Sequence, residues 1–372
     1  MGRLLLDGAQ RRDWLRLISS ENVGPITFRQ LINRFGSASD ALKALPDLAR
    51  RGGLSRPIRL YPAAEAERDL ERIAALGAQL VAYGEEDYPA LLREIDSAPP
   101  LLCLKGQTSL LALPCVAIVG ARNASALGRK FARQLAAELG RAGFLIVSGL
   151  ARGIDTAAHE SSLPVATAAV LAGGLDIVYP PENGDLHRSI GERGVLIAEC
   201  MPGTVPAADH FPRRNRLISG MSYGTIVVEA AVRSGSLITA RLAAEQGREV
   251  FAVPGSPLDP RAGGTNKLLR EGATLITTAA DVIEALAPAI GRPVSVKEEL
   301  MREDEEAASS SEEISSGEEH QRILQLLGPA PVEVDDLIRE SGLKASVVVA
   351  ILLELELAGL VTRQRRNSVS LA

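Results

Sequence analysis

CVAIVGARNASALGRKFARQLAAELGRAGFLIVSGLARGIDTAAH, residues 115 to 159, holds two short apolar runs, each closed by a glycine turn and followed by a helical stretch. Apolar runs without polar alternation are the mark of strands covered on both faces. The unit recurs downstream as ATAAVLAG (166–173), GVLIAE (194–199), TIVVEA (225–230), REVFAVPG (248–255) and ATLITT (273–278), with the helical GSLITARLAAEQG (235–247) among them. Such alternation predicts an α/β fold: a doubly wound, mostly parallel sheet with right-handed crossovers, whose ligand site lies at the carboxyl ends of the strands.

Outward from this region the pattern changes on both sides. Residues 10 to about 75 read as helices, with DWLRLISSENV, ITFRQLINRFG, SASDALKAL and AAEAERDLERIAALG as the candidates. Val23, Gly24 and Pro25 between the first two resemble a helix-hairpin-helix turn, whose amides can meet a phosphate; a small helical packing domain without a ligand explains the same residues, because no basic cluster accompanies the turn. On the C-terminal side, residues 297–319 hold ten acids and two bases, a local charge of −8 against −5 for the chain, which leaves the remainder at +3. This acidic, Ser-rich stretch has little to bury and predicts a disordered tether. Beyond it, HQRILQLLG, VEVDDLIRESG and KASVVVAILLELELAGLVTRQRRNSVSLA predict three helices and two strands, the order of a winged helix. Its third helix offers Lys344 and two glutamates in place of Arg, Asn or Gln, so it is poorly equipped to read a major groove, and protein contact competes with DNA contact through the wing. The expected domains are 1–78, 79–290, 291–319 (the tether) and 320–372.

The 372 residues are 46% hydrophobic and 23% charged, globular values that argue against wholesale disorder, a fibrous repeat or a membrane protein. No secretory signal is legible in MGRLLLDGAQRRDW, so a cytoplasmic location is expected. Cys103, Cys115 and Cys200 have no metal or disulfide spacing and read as thiols of the core.

Five glycine- or arginine-bearing segments are expected to converge at the strand ends. VGARNASALG sets Gly120, Arg122 and Ser125 ahead of a helix, and SGLARGID repeats the device with Gly149, Arg152 and Gly153, with Asp155 suited to the next N-cap. HFPRRNRLISG places Arg213, Arg214, Asn215 and Arg216 in a loop before the TIVVEA strand, a basic rim suited to bidentate phosphate contact. RSGSLITA brings Ser234, Gly235, Ser236 and Leu237 to another helix start, and GGTNKLL adds Lys267.

Catalytic signatures are weak by comparison. Gly220 to Gly224 matches G-x-S-x-G, but a nucleophile elbow needs a strand before it and here a strand follows. Neither a Walker lysine loop nor G-x-G-x-x-G is present. His159 lacks a second histidine at ligand spacing and reads as bonding its capping loop. No cofactor is expected.

Taken together, VGARN, SGLARGIDTAAH, GGLDIVYP, FPRRNRLISG, VVEAAVRSGSLITA and REVFAVPG resemble the DNA-processing protein A family, DprA or Smf, over residues 85 to 287. The flanks resemble its variable ends, a sterile-alpha-motif-like domain and a winged helix. The resemblance implies an extended Rossmann fold that binds single-stranded DNA without catalysis, forms a homodimer and helps load the RecA recombinase in natural transformation. It carries DNA contact to Arg122, Arg152, Arg213 to Arg216, Ser234 to Leu237 and Lys267. HESSLPVATAAVL departs from the family by being short there. Two other functions fit parts of the pattern: a Rossmann-like nucleotide phosphoribohydrolase using Glu229, and a winged-helix transcription regulator.

Overall fold

The computed structural model describes residues 5–291, 317–364 and 367–372. They form two compact units: one runs from Asp69 through the strand-rich region, and the other joins Leu6–Arg68 to the C-terminal residues. The helical start comprises α1 (Gly8–Ile18), α2 (Pro25–Phe35), α3 (Ala38–Arg51) and α4 (Ala63–Ala75). Their boundaries are written locally. Asp7 and Gln10 form a capping box at α1, Pro25 occupies the first turn of α2, where its missing N–H costs nothing, and Ser37 caps α3.

Next come β1 (Gln79–Ala82), β2 (Leu101–Gly106), β3 (Cys115–Gly120), α5 (Ala126–Arg141), β4 (Leu145–Ser148), α6 (Ile154–Ser162), β5 (Thr167–Leu171), α7 (Gly184–Arg193) and β6 (Val195–Ala198). They are followed by α8 (His210–Gly220), β7 (Gly224–Val228), α9 (Gly235–Glu245), β8 (Glu249–Ala252), α10 (Gly263–Arg270), β9 (Thr274–Leu275) and α11 (Ala279–Leu286). Nine strands make one sheet in the order β1-β2-β6-β5-β4-β3-β7-β8-β9, parallel from β6 to β9, with β2 antiparallel to β6 and β1 antiparallel to β2. The expected α/β fold, mostly parallel and doubly wound, is therefore present. Two antiparallel strands that the alternation did not predict extend one edge. Val116 and Ile118 of β3 and Ile226 and Val228 of β7 pack on α5, α6 and α11. Residues between them in sequence point to the opposite face, as the period of two requires, and α9 also packs against β3 and β7.

Two expectations need correction here. FPRRNR is not a loop but the beginning of α8; Pro212 lies in its first turn, where helices tolerate proline. Asp155 is not an N-cap either, since Gly153 holds that position and Asp155 lies buried in the first turn of α6.

The C-terminal part contains α12 (Gly317–Leu326), β10 (Val332–Glu333), α13 (Val334–Ser341), α14 (Ala345–Leu357), β11 (Val361–Gln364) and β12 (Ser368–Leu371). Helices and a small antiparallel sheet, β10-β12-β11, give the winged-helix order with one strand more than expected. Most of the acidic stretch, 292–316, lies outside the described residues; Gly317 to Glu319 open α12, where two acids favour the positive helix end.

Candidate nucleic-acid interface

At the carboxyl ends of β3, β4 and β5, the following loops and the first turn of α8 enclose a cavity of about 360 Å³. Arg122, Gly149, Arg152 and Arg214 all line it, together with Asn123, Tyr179 and Phe211. Three of the expected arginines thus share one concave surface, yet each is held differently.

Arg122 is exposed and lies over the Phe211 ring at 5.4 Å. Phe211 in turn meets Tyr179 at 5.4 Å with the rings tilted by 56°. Arg152 is also exposed and pairs with Glu182 at 2.6 Å, a surface ion pair that water and salt weaken. Arg214 is buried beneath them: its guanidinium donates to the carbonyls of Gly149, at 2.7 Å, and Val170. A Cβ at residue 149 would come within 2.7 Å of that guanidinium and push it off the two carbonyls.

Asp155 supplies the counter-charge from below and accepts the N–H groups of Gly149, at 3.1 Å, and Ala151, at 3.3 Å. Burial raises the Asp155 carboxyl above its ordinary value, against the opposing pull of Arg214 and those two amides. Burial likewise lowers Arg214 to about 10, partly offset by Asp155. His159 lies in the same layer. Its Nδ1 bonds Thr167 Oγ1 at 2.7 Å, on β5 and not in the capping loop the sequence led us to expect. Burial, and secondarily Arg214, lowers its pKa to about 3, so it is neutral at physiological pH.

Along α8 the basic run divides by side. Arg213 is exposed, Asn215 accepts from Arg214 Nε at 3.2 Å, and Arg216 is buried against the Glu199 carboxylate. Arg214 and Arg216 therefore face inward as structural cations, leaving Arg213 outside. Gly120 ends β3 against β7, and Gly153 adopts φ +80° where a Cβ would meet the Ala121 carbonyl at 2.2 Å. Ser125 caps α5, but its N–H and hydroxyl are both taken by the Glu229 carboxylate, the N–H at 2.8 Å. This carboxylate occupies the helix end where the sequence anticipated a phosphate.

Ser234 caps α9 through the Ser236 N–H and bonds its hydroxyl, Gly235 is exposed, and Leu237 is half-buried. Lys267, exposed on α10, lies 3.5 Å from Glu271. These belong to the β7 and β8 loops, at the same sheet end but outside the cavity lining. What the sequence missed is the aromatic pair. Its only signal was Phe211 next to the arginine run and Tyr179 before two prolines.

No group of three or more His, Cys, Asp or Glu suited to a metal occurs among the described residues, and no helix of the described residues is long and apolar enough to cross a membrane. Burial raises the thiols of Cys103 and Cys115 to about 12 and Cys200 to about 11, as unreactive groups.

The model of the DNA recombination-mediator protein A matches residues 79–287, more than half of the chain. The chain belongs to that family. Models of a DprA-like N-terminal helix-hairpin-helix domain and a DprA winged-helix domain match residues 8–71 and 305–365. The DNA processing protein DprA of Bacillus subtilis is 45% identical over 231 residues, covering 61% of this chain and 77% of the relative. Among solved structures, DNA processing protein A of Streptococcus pneumoniae is 37% identical, with a TM-score of 0.63 over 73% of this chain and 95% of that one. The Helicobacter pylori protein, described for its single-stranded DNA binding mode, is 31% identical, with a TM-score of 0.53 over 57% and 96%. The fold is thus shared with solved structures of DNA processing protein A.

Proposed function

We propose that this chain is a non-catalytic single-stranded-DNA-binding mediator that protects incoming strands in the cytoplasm and, as a homodimer, helps load RecA during natural transformation. The observation that carries the binding is the cavity with Arg122 and Arg152 exposed at its walls and the Tyr179 and Phe211 rings beside them. Exposed guanidinium groups neutralise a flexible phosphate backbone, and aromatic faces accept an unpaired base of any identity. A duplex keeps its bases stacked inside and offers no ring to that pair. Arg213 and, farther along the same sheet end, Lys267 extend the cationic path, while Ser234 to Leu237 supply helix-start amides. RecA loading and dimerisation come from the kinship with recombination mediators.

A polarisation titration with an unpaired oligonucleotide tests the binding. With about four phosphates neutralised, log affinity falls against log salt with a slope near −3. Binding that ignores salt would remove the basis for the proposal.

A phosphoribohydrolase would need Glu229 free over a glycosidic bond. Instead its carboxylate is engaged by Ser125, which favours a structural role. Release of base from a nucleoside monophosphate, abolished by Glu229→Gln, would reverse that preference.

A further inference from the structure

Helix-hairpin-helix and winged-helix domains each have one element suited to DNA: the turn between the paired helices in the first, the third helix in the second. In this chain those elements are the turn joining α1 to α2, and α14. Within the second unit they meet each other. Asn22, in the turn, donates its side-chain amide to the Leu357 carbonyl at 3.0 Å. Arg51, ending α3, lies 3.4 Å from a Glu354 carboxylate oxygen, and the other oxygen bonds His320 at 2.8 Å. Gly52 makes the closest approach: a Cβ there would lie 1.9 Å from the Glu354 carbonyl oxygen and 3.1 Å from the Ala358 methyl.

Burial along α14 agrees with a two-sided role. Val348, Ile351, Leu352 and Leu355 form the winged-helix core. Leu353, Glu354 and Leu357, outside that core cluster, are 3%, 1% and 0% exposed. The C-terminal half of α14 is thus buried on all sides, as in an interior helix, whereas a groove-reading helix needs a polar face in solvent. The end of α14 that does face solvent carries Ala345, Ser346 and Val349, with the capping Lys344 as its single basic side chain.

We infer that α14 is a protein-docking helix whose partner is the chain's own α1–α2 turn and α3. The two terminal segments are one clasp, in which the C-terminal half of α14 is held by α3 and by Asn22 of the turn. The inference does not depend on the single-strand reading of the cavity, since it concerns other residues and duplex DNA.

The wedge Gly52→Leu tests it in the full chain, because the nearest neighbours of a side chain there are on α14 and residue 52 has a φ of −67° that any residue adopts. Hydrogen exchange during urea titration should give coincident midpoints for peptides from α2–α3 and from α14 in the wild type, and separate midpoints in Gly52→Leu. Should the wedge prevent folding, Asn22→Ala combined with Arg51→Ala should separate them in the same direction. Duplex affinity of the full chain should change less than twofold on Lys344→Ala with Ser346→Ala. Midpoints already separate in the wild type, midpoints unmoved by the variants, or a tenfold loss of duplex affinity would each overturn the assignment, the last in favour of groove reading.

Discussion

Arg122 and Arg214 border one cavity, but only the first has its guanidinium in solvent. Arg122→Ala should therefore weaken single-strand binding by about ten- to a hundredfold, since a charge-assisted contact contributes roughly 1.5–3 kcal/mol, and lower the salt slope by about 0.7, with an unchanged melting temperature. Arg214→Ala should behave differently. It leaves Asp155 buried without its cation, and loss of one partner of a buried pair costs about 3–5 kcal/mol, visible as a large fall in melting temperature. His159 gives a pH signature. Its folded pKa, about 3, lies below the ordinary 6.5, so the unfolded state takes up more protons between those values; its contribution is present above pH 6.5 and lost as pH falls toward 3. Asp155, with a raised pKa, works in the opposite sense: its contribution is present below its unfolded value of 3.8 and lost as pH rises through the folded one. Comparing melting temperature against pH for His159→Gln and the wild type isolates the histidine, and the variant should lose less stability over that window. The composition of the basic run was legible, but its division by side was not. Arg213 and Arg214 are adjacent letters, and which of them points inward is set by how α8 lies on the sheet, which composition does not state.

The parallel strands and their helices could be read because continuous apolar runs and glycine turns state their own period. β1 and β2 escaped notice because short antiparallel strands at a sheet edge, separated by a long irregular connection, carry no repeated βα pattern. α8 was missed for another reason: proline at residue 212 reads as a breaker unless its place in the first turn is known. At the far edge, β9 exposes both its residues, and Leu275 is 54% accessible. An open strand edge with an apolar side chain is a template for a second copy. On the proposal of a homodimer built there, Leu275→Lys should shift the chain to monomer in light scattering without loss of secondary structure. A dimer that persists would move the interface elsewhere.

For the whole molecule, the net charge of −5 conceals the division that matters: ten of the acids lie in residues 297–319, C-terminal in sequence to the core strands, while the strand ends gather exposed arginines. Charge sum alone would have argued against a polyanionic partner, whereas charge placement argues for one. The four-part division at 1–78, 79–290, 291–319 and 320–372 is a proposal for limited proteolysis to test, and the joining of both ends in one unit predicts that the terminal fragments stay together after cleavage. The proposed binding rests on the cavity's preference for an unpaired strand. Its most direct test is a side-by-side titration of matched single- and double-stranded oligonucleotides against the wild type and Phe211→Ala. Single strands should bind at least tenfold more tightly, and the variant should lose roughly 1–3 kcal/mol of that binding with little change on duplex. Equal affinity for both forms, or an aromatic substitution without effect, would contradict it.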